Sequence, residues 1–91
     1  MIVNVGSVSA FPDVEPSKAQ AMKPLEESAE VYAAWQAWRA HPHASERGWL
    51  LEEVADAVTA LANLAASLGE EDLGGYVAAV ERKNGKRGRY Q

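Results

Sequence analysis

Glu27 with Glu30 and Glu53 with Asp56 are the residues in this chain best placed to do chemistry. Each pair is spaced i, i+3 in a stretch that reads as helix, so both members fall on one helical face. If the two helices run antiparallel, the two pairs meet and bring four carboxylates to one place. Such a cluster repels itself unless divalent cations fill it, and hard oxygen donors of this kind suit Mg²⁺.

The elements that must position these acids are short and few. Ninety-one residues suffice for one small domain, with a core modest enough that oligomerisation is a common supplement. Met1 to Glu15 carries Gly6 and Pro12 and reads as an extended arm, residues 1–15, ahead of a helical domain over 16–91. Pro16-Ser17 opens a helical stretch to about Arg39. Pro24 lies within it, so the helix proper is expected to begin at Lys23, with the proline in its first turn where a missing N–H costs little. Ala40 to Ala44 is a break containing Pro42. Ser45 is the expected N-cap of a second helix that runs to about Leu68 and stops at Gly69. A third is expected over Glu70 to Lys83, with Gly74 and Gly75 delaying its start and Gly85 and Gly88 loosening the tail.

Both acid-bearing faces read as buried. On the second helix, Leu50, Val54, Val58, Leu61, Ala65 and Leu68 form a regular apolar stripe. The acidic stripe beside it continues through Ala60, Asn63 and Ser67, and no charge occurs from Ala57 to the helix end. On the first helix, Leu25, Ala29 and Tyr32 supply one apolar side and Val31, Trp35 and Trp38 another. Lys23, Glu27, Glu30, Ala34 and Ala37 lie between, where alanines permit close approach. None of the four acids has a lysine or arginine four residues after it, unlike a solvated acidic face. Two other helices cannot cover the second one, so a homodimer, or a dimer of dimers, completing a four-helix-type core is the economical solution. The expected fold is therefore all-α, a bundle with three helices per subunit.

Composition narrows the chemistry further. There are no cysteines, hence no disulfide, zinc-thiolate or thiol chemistry. No uncharged run is long enough to span a bilayer, and no basic segment precedes the apolar first ten residues, so a cytoplasmic location without membrane association is expected. The net charge of −4 is uneven: all thirteen acids lie in residues 1–81, while Arg82, Lys83, Lys86, Arg87 and Arg89 crowd the last ten. That arrangement fits metal at one end of a ligand and phosphate at the other, and equally a solubilising tail. A nucleic-acid partner is not expected, because the acidic body repels a phosphate backbone and no groove-reading helix is evident.

At these residues the sequence resembles the all-α nucleoside triphosphate pyrophosphohydrolases, the MazG-like superfamily. Glu26-Glu27-Ser28-Ala29-Glu30 matches its EExxE half-motif and Glu53-Val54-Ala55-Asp56 its ExxD half, with twenty-two residues between. The contexts "KPLEESAEVYAAWQ" and "LLEEVADAVTALANLA" and the terminal "KNGKRGR" add to the likeness, which covers about Lys23 to Arg89. The resemblance implies Mg²⁺, with Mn²⁺ as an alternative ion, held by Glu27, Glu30, Glu53 and Asp56. The ion would neutralise and orient a triphosphate and acidify a water, and hydrolysis at the α-phosphorus would release a nucleoside monophosphate and pyrophosphate. Lys83, Asn84, Arg87 and Arg89 would approach the phosphates, from the same subunit or its neighbour.

Other residues carry two readings each. Glu26 points about 100° away from Glu27 around the helix, which suits an outer-shell partner or general base as well as a plain surface residue. Asn63, on the acidic stripe, is either a base or ribose contact or a structural hydrogen bond to neighbouring backbone. Trp35 and Trp38 are more often core or interface anchors than base-stacking groups. His41 and His43, either side of Pro42, have no further ligand nearby. The rival functional readings are a catalytically silent binding or regulatory module of the same fold and a structural helical dimer.

Overall fold

A computed structural model describes residues 1–90; Gln91, the end of the expected helical domain, lies outside the described residues. Those residues form three helices and no strands: α1 (Lys18–Ala40), α2 (Ala44–Ser67) and α3 (Gly74–Lys86). The all-α, three-helix expectation therefore holds. No helix among them is long and apolar enough to cross a membrane.

α1 begins five residues earlier than its proline suggests. Ser17, in extended conformation, accepts the Gln20 amide on its Oγ at 3.1 Å and caps the helix there. Pro24 is thus inside the helix rather than in its first turn. A cap that satisfies an orphan donor starts the helix upstream, and the chain carries the proline within it. α2 also starts earlier than expected, at Ala44 with His43 as N-cap, while the Ser45 hydroxyl donates to Glu46 Oε2 at 2.6 Å. Its end follows expectation: Gly69 takes φ +79°, and the Gly69 and Glu70 amides reach back to the Ala66 and Ala65 carbonyls, a Schellman closure.

α3 starts at Gly74, after the acids Glu70, Glu71 and Asp72, of which Asp72 accepts the Gly74 amide on Oδ1 at 2.7 Å. It runs three residues past the expected end. Gly85 lies inside it, and Gly88 does not loosen the tail: at φ +71° it closes a second Schellman motif, with the Gly88 and Arg89 amides on the Gly85 and Asn84 carbonyls.

Three residues, His41 to His43, join α1 to α2, and the two helices pack side by side as a hairpin. They run antiparallel: Glu30 meets Glu53, and Gln20 shares a cavity wall with Asn63. The seam is made of small and polar residues. Ala34, Ala60, Asn63 and Ser67 are the buried ones, and no large side chain among the described residues is fully buried. The stripe carrying the acids is thus the one that faces the partner helix. The apolar stripe expected as core is only half covered, with Val54, Leu61 and Leu68 exposed within a single chain.

α3 packs on neither helix of the hairpin. The arm before α1 is extended, with one turn at Pro12-Asp13. It bridges the two parts: Met1 and Ile2 share a cavity with Ala78, Glu81, Arg82 and Tyr90 around α3, and Phe11 is tied to α2. The radius of gyration is 15.2 Å, against roughly 12 Å for a compact chain of this length.

Candidate metal and phosphate site

The hairpin brings Glu27 and Glu30 of α1 against Glu53 of α2, with one carboxylate oxygen from each within 4.8 Å of the others. Asp56, one turn beyond Glu53, lies outside that tight group but lines a cavity with Glu27 and Glu30, whereas Glu53 is off that cavity's wall. The cavity measures about 490 Å³, and its wall includes Phe11, Lys23, Glu27, Glu30, Asp56 and Asn63. Three of the four expected acids are thus grouped and the fourth is next to them.

Local bonds aim these acids. The Trp49 indole N–H donates to Glu53 Oε1 at 3.1 Å from one turn away on α2. The other oxygen, Glu53 Oε2, is buried and has no hydrogen-bond partner. A buried carboxylate oxygen without a donor is costly, and a cation is the partner its charge suits. Lys23 reaches Glu27 Oε1 at 3.3 Å and Glu26 Oε2 at 3.6 Å. Both bonds and both charges raise the Lys23 ammonium above its ordinary range, Glu27 most strongly. Glu30 is also pushed up: the Glu27 charge and a shared hydrogen bond with Glu27 come first, then Glu53. The cluster therefore holds more negative charge than Lys23 balances. Three clustered carboxylates are hard oxygen donors of the kind a Mg²⁺-like ion takes, and a proton shared between Glu30 and Glu53 is the other way to relieve their repulsion.

The remaining residues fall in different places. Glu26 is largely exposed beside Lys23 and does not line the cavity. Asn63, only 3% exposed, accepts the Phe11 amide on Oδ1 at 2.7 Å and donates Nδ2 to the Thr59 carbonyl at 3.0 Å. Of its two readings, the bond to backbone is the one formed here, and it anchors the arm. Lys83 and Asn84 are in the last turns of α3, with Arg87 and Arg89 just past it, and none lines the acidic cavity. Asn84 instead donates to the Tyr90 hydroxyl at 3.3 Å. Trp35 and Trp38 are also off the cavity; Trp35 stacks on Tyr32 at 5.9 Å and carries the Arg39 guanidinium over its ring at 5.4 Å. The His41 and His43 rings stack on each other, 6.4 Å apart.

Sequence reading missed three participants. The Lys23 pairing and the Trp49 bond were both available in the i, i+4 spacing to Glu27 and Glu53. Phe11 carried no such signal, because its anchor lies 52 residues away. Compared with known proteins, the chain matches no family model, no curated protein and no solved structure.

Proposed function

We propose that this protein is a Mg²⁺-dependent nucleoside triphosphate pyrophosphohydrolase of the all-α, MazG-like type, producing a nucleoside monophosphate and pyrophosphate from an NTP or dNTP. The observation that carries the reading is Glu53 Oε2, buried and unpartnered within a group that also holds Glu27 and Glu30. The EExxE and ExxD spacing and the basic C-terminal cluster support it.

In this reading Glu27, Glu30 and Glu53 hold the ion, with Asp56 as a further donor on the cavity wall. Bound there, Mg²⁺ supplies charge neutralisation and a more acidic water. Trp49 keeps the Glu53 carboxylate oriented by fixing one oxygen. Lys23 balances Glu27 in the ion-free protein, and its ammonium, on the wall of the same cavity, is a donor for a phosphate oxygen. Glu26, paired with Lys23, holds that ammonium from the outside.

The basic residues Lys83, Arg87 and Arg89, with Asn84, act across a homodimer interface, because α3 stands away from its own hairpin. Exposed surface supports assembly. The chain exposes 7372 Å², about 2,000 Å² more than a compact monomer of its mass. The arm, the unpacked α3 and the outer faces of α1 and α2 all carry exposed large apolar side chains. Burying roughly 800 Å² per partner is enough for a standard interface.

The decisive experiment is pyrophosphate release from a panel of nucleoside triphosphates with and without Mg²⁺, comparing wild type with Glu53→Gln. Mg²⁺-dependent turnover is expected in the wild type alone, with helicity by circular dichroism unchanged. Full activity in Glu53→Gln rejects the ligand assignment, and no turnover of any nucleotide rejects the enzyme reading.

A further inference from the structure

We infer that Phe11, carried by the N-terminal arm, is the base-facing wall of the nucleotide site and sets its preference for nucleotides over bare polyphosphate. The inference rests on the pyrophosphohydrolase reading and adds a residue outside the Lys23-to-Arg89 stretch in which the family likeness lies.

Among the described residues, Phe11 is the one aromatic residue that lines the acidic cavity. The residue is 67% exposed, and its ring stacks on no other aromatic among the described residues. Its backbone is nonetheless held in place: the Phe11 amide donates at 2.7 Å to the buried Asn63 carbonyl oxygen, whose own side chain is fixed through Thr59. A large apolar ring left in water, on a backbone tied down by a buried amide, is a surface prepared for a flat partner. Aromatic rings exposed beside charged phosphate sites serve bases well, since every base has a π-face.

The cavity's chemistry is divided to match. Glu27, Glu30 and Asp56 lie on its wall with Lys23, which suits an ion and phosphates, while Phe11 offers an apolar face and Asn63, buried and bonded to backbone through both amide atoms, holds that face in place. About 490 Å³ is within the range of small-ligand pockets. The two tryptophans that helical spacing would nominate for stacking are off the cavity, and Trp35 already has Tyr32 and Arg39 against it. Substituting Phe11 leaves the Asn63 anchor intact, because the donor is the backbone.

The test uses the full chain, Mg²⁺, and isothermal titration with two ligands: non-hydrolysable α,β-imido nucleoside triphosphates carrying each base, and inorganic tripolyphosphate. Phe11→Ala is expected to weaken the nucleotide about five- to a hundredfold, the scale of one base–aromatic stack, and to leave tripolyphosphate unchanged. Phe11→Trp is expected to retain nucleotide affinity. Equal losses for both ligands, or no loss for the nucleotide, overturn the role of Phe11 while wild-type binding leaves the pyrophosphohydrolase reading standing. Wild-type protein that takes up neither ligand in Mg²⁺ overturns both.

Discussion

Trp49 donates its indole N–H to one oxygen of Glu53 and leaves the other buried without a partner. The first contact fixes the carboxylate plane, and in the proposed reading the second oxygen is the one left for the ion. Trp49→Phe keeps most of the ring volume and removes the donor. Mg²⁺ affinity by titration calorimetry is expected to fall about tenfold, the lower end for loss of an orienting partner. Unchanged affinity would show that Glu53 needs no such support.

Glu30 ties stability to pH. Its proton is held more tightly in the folded cluster than in an unfolded chain, because Glu27 and then Glu53 crowd it with negative charge. The folded protein therefore binds more protons, and stability falls as pH rises from the ordinary glutamate range through the raised value. In metal-free buffer, thermal melts between about pH 4 and 7 are expected to show that decline in the wild type and a flatter profile in Glu30→Gln. Added Mg²⁺ should recover the wild type at the upper end and do little for the variant.

Asn63 links the arm to the hairpin. Asn63→Ala strands the Phe11 amide and empties a buried position, at a cost of about 1–3 kcal/mol. Urea denaturation should register that loss, and limited proteolysis should cut the arm sooner than in the wild type.

Assembly is tested on the exposed apolar stripe. Leu61 and Leu68 are 52% and 71% exposed in the single chain, and in the proposed dimer they are covered. Light scattering at micromolar concentration is expected to give a dimer or larger for the wild type and a lower mass for Leu61→Glu. A wild-type monomer would contradict the four-helix core.

Gly69 is required by conformation alone. Its φ is +79°, and a Cβ there would meet nothing within 4 Å. Gly69→Ala is therefore expected to cost about 1 kcal/mol through left-handed backbone strain, read as a lower urea midpoint with an unchanged slope.

Periodicity placed the helices well and set Glu27 and Glu30 against Glu53, because i, i+3 and i, i+4 relations are local, but it read the acids as buried, whereas Glu30 and Asp56 are exposed and Glu27 and Glu53 half-buried. It also put Ala34 on the α1 stripe where alanines permit close approach, and Ala60, Asn63 and Ser67 on the acidic stripe of α2, and these are the residues that become buried. Helix starts were read less well. Pro24 drew the first boundary inward, whereas the Ser17 hydroxyl on the Gln20 amide had settled it upstream. Ser45 looked like a cap but spends its hydroxyl on Glu46. The glycines of the tail read as loose because composition does not reveal that Gly88 will take a positive φ and return two amides to the helix. The arm's contact with Asn63 was out of reach, since no local pattern joins residues 52 apart.

If the cluster holds the proposed ion, the buried alanines of the hairpin bear on which ion it takes. Ala34 is completely enclosed and Ala60 nearly so, so backbone contact rather than side-chain bulk dictates the distance between the two helices. That distance acts as a calliper on the opposing carboxylates. Adding a pair of methyl groups at Ala34 or Ala60 would widen the jaws without touching a single ligand, and would shift discrimination between a small, rigidly hydrated ion and a larger, more tolerant one.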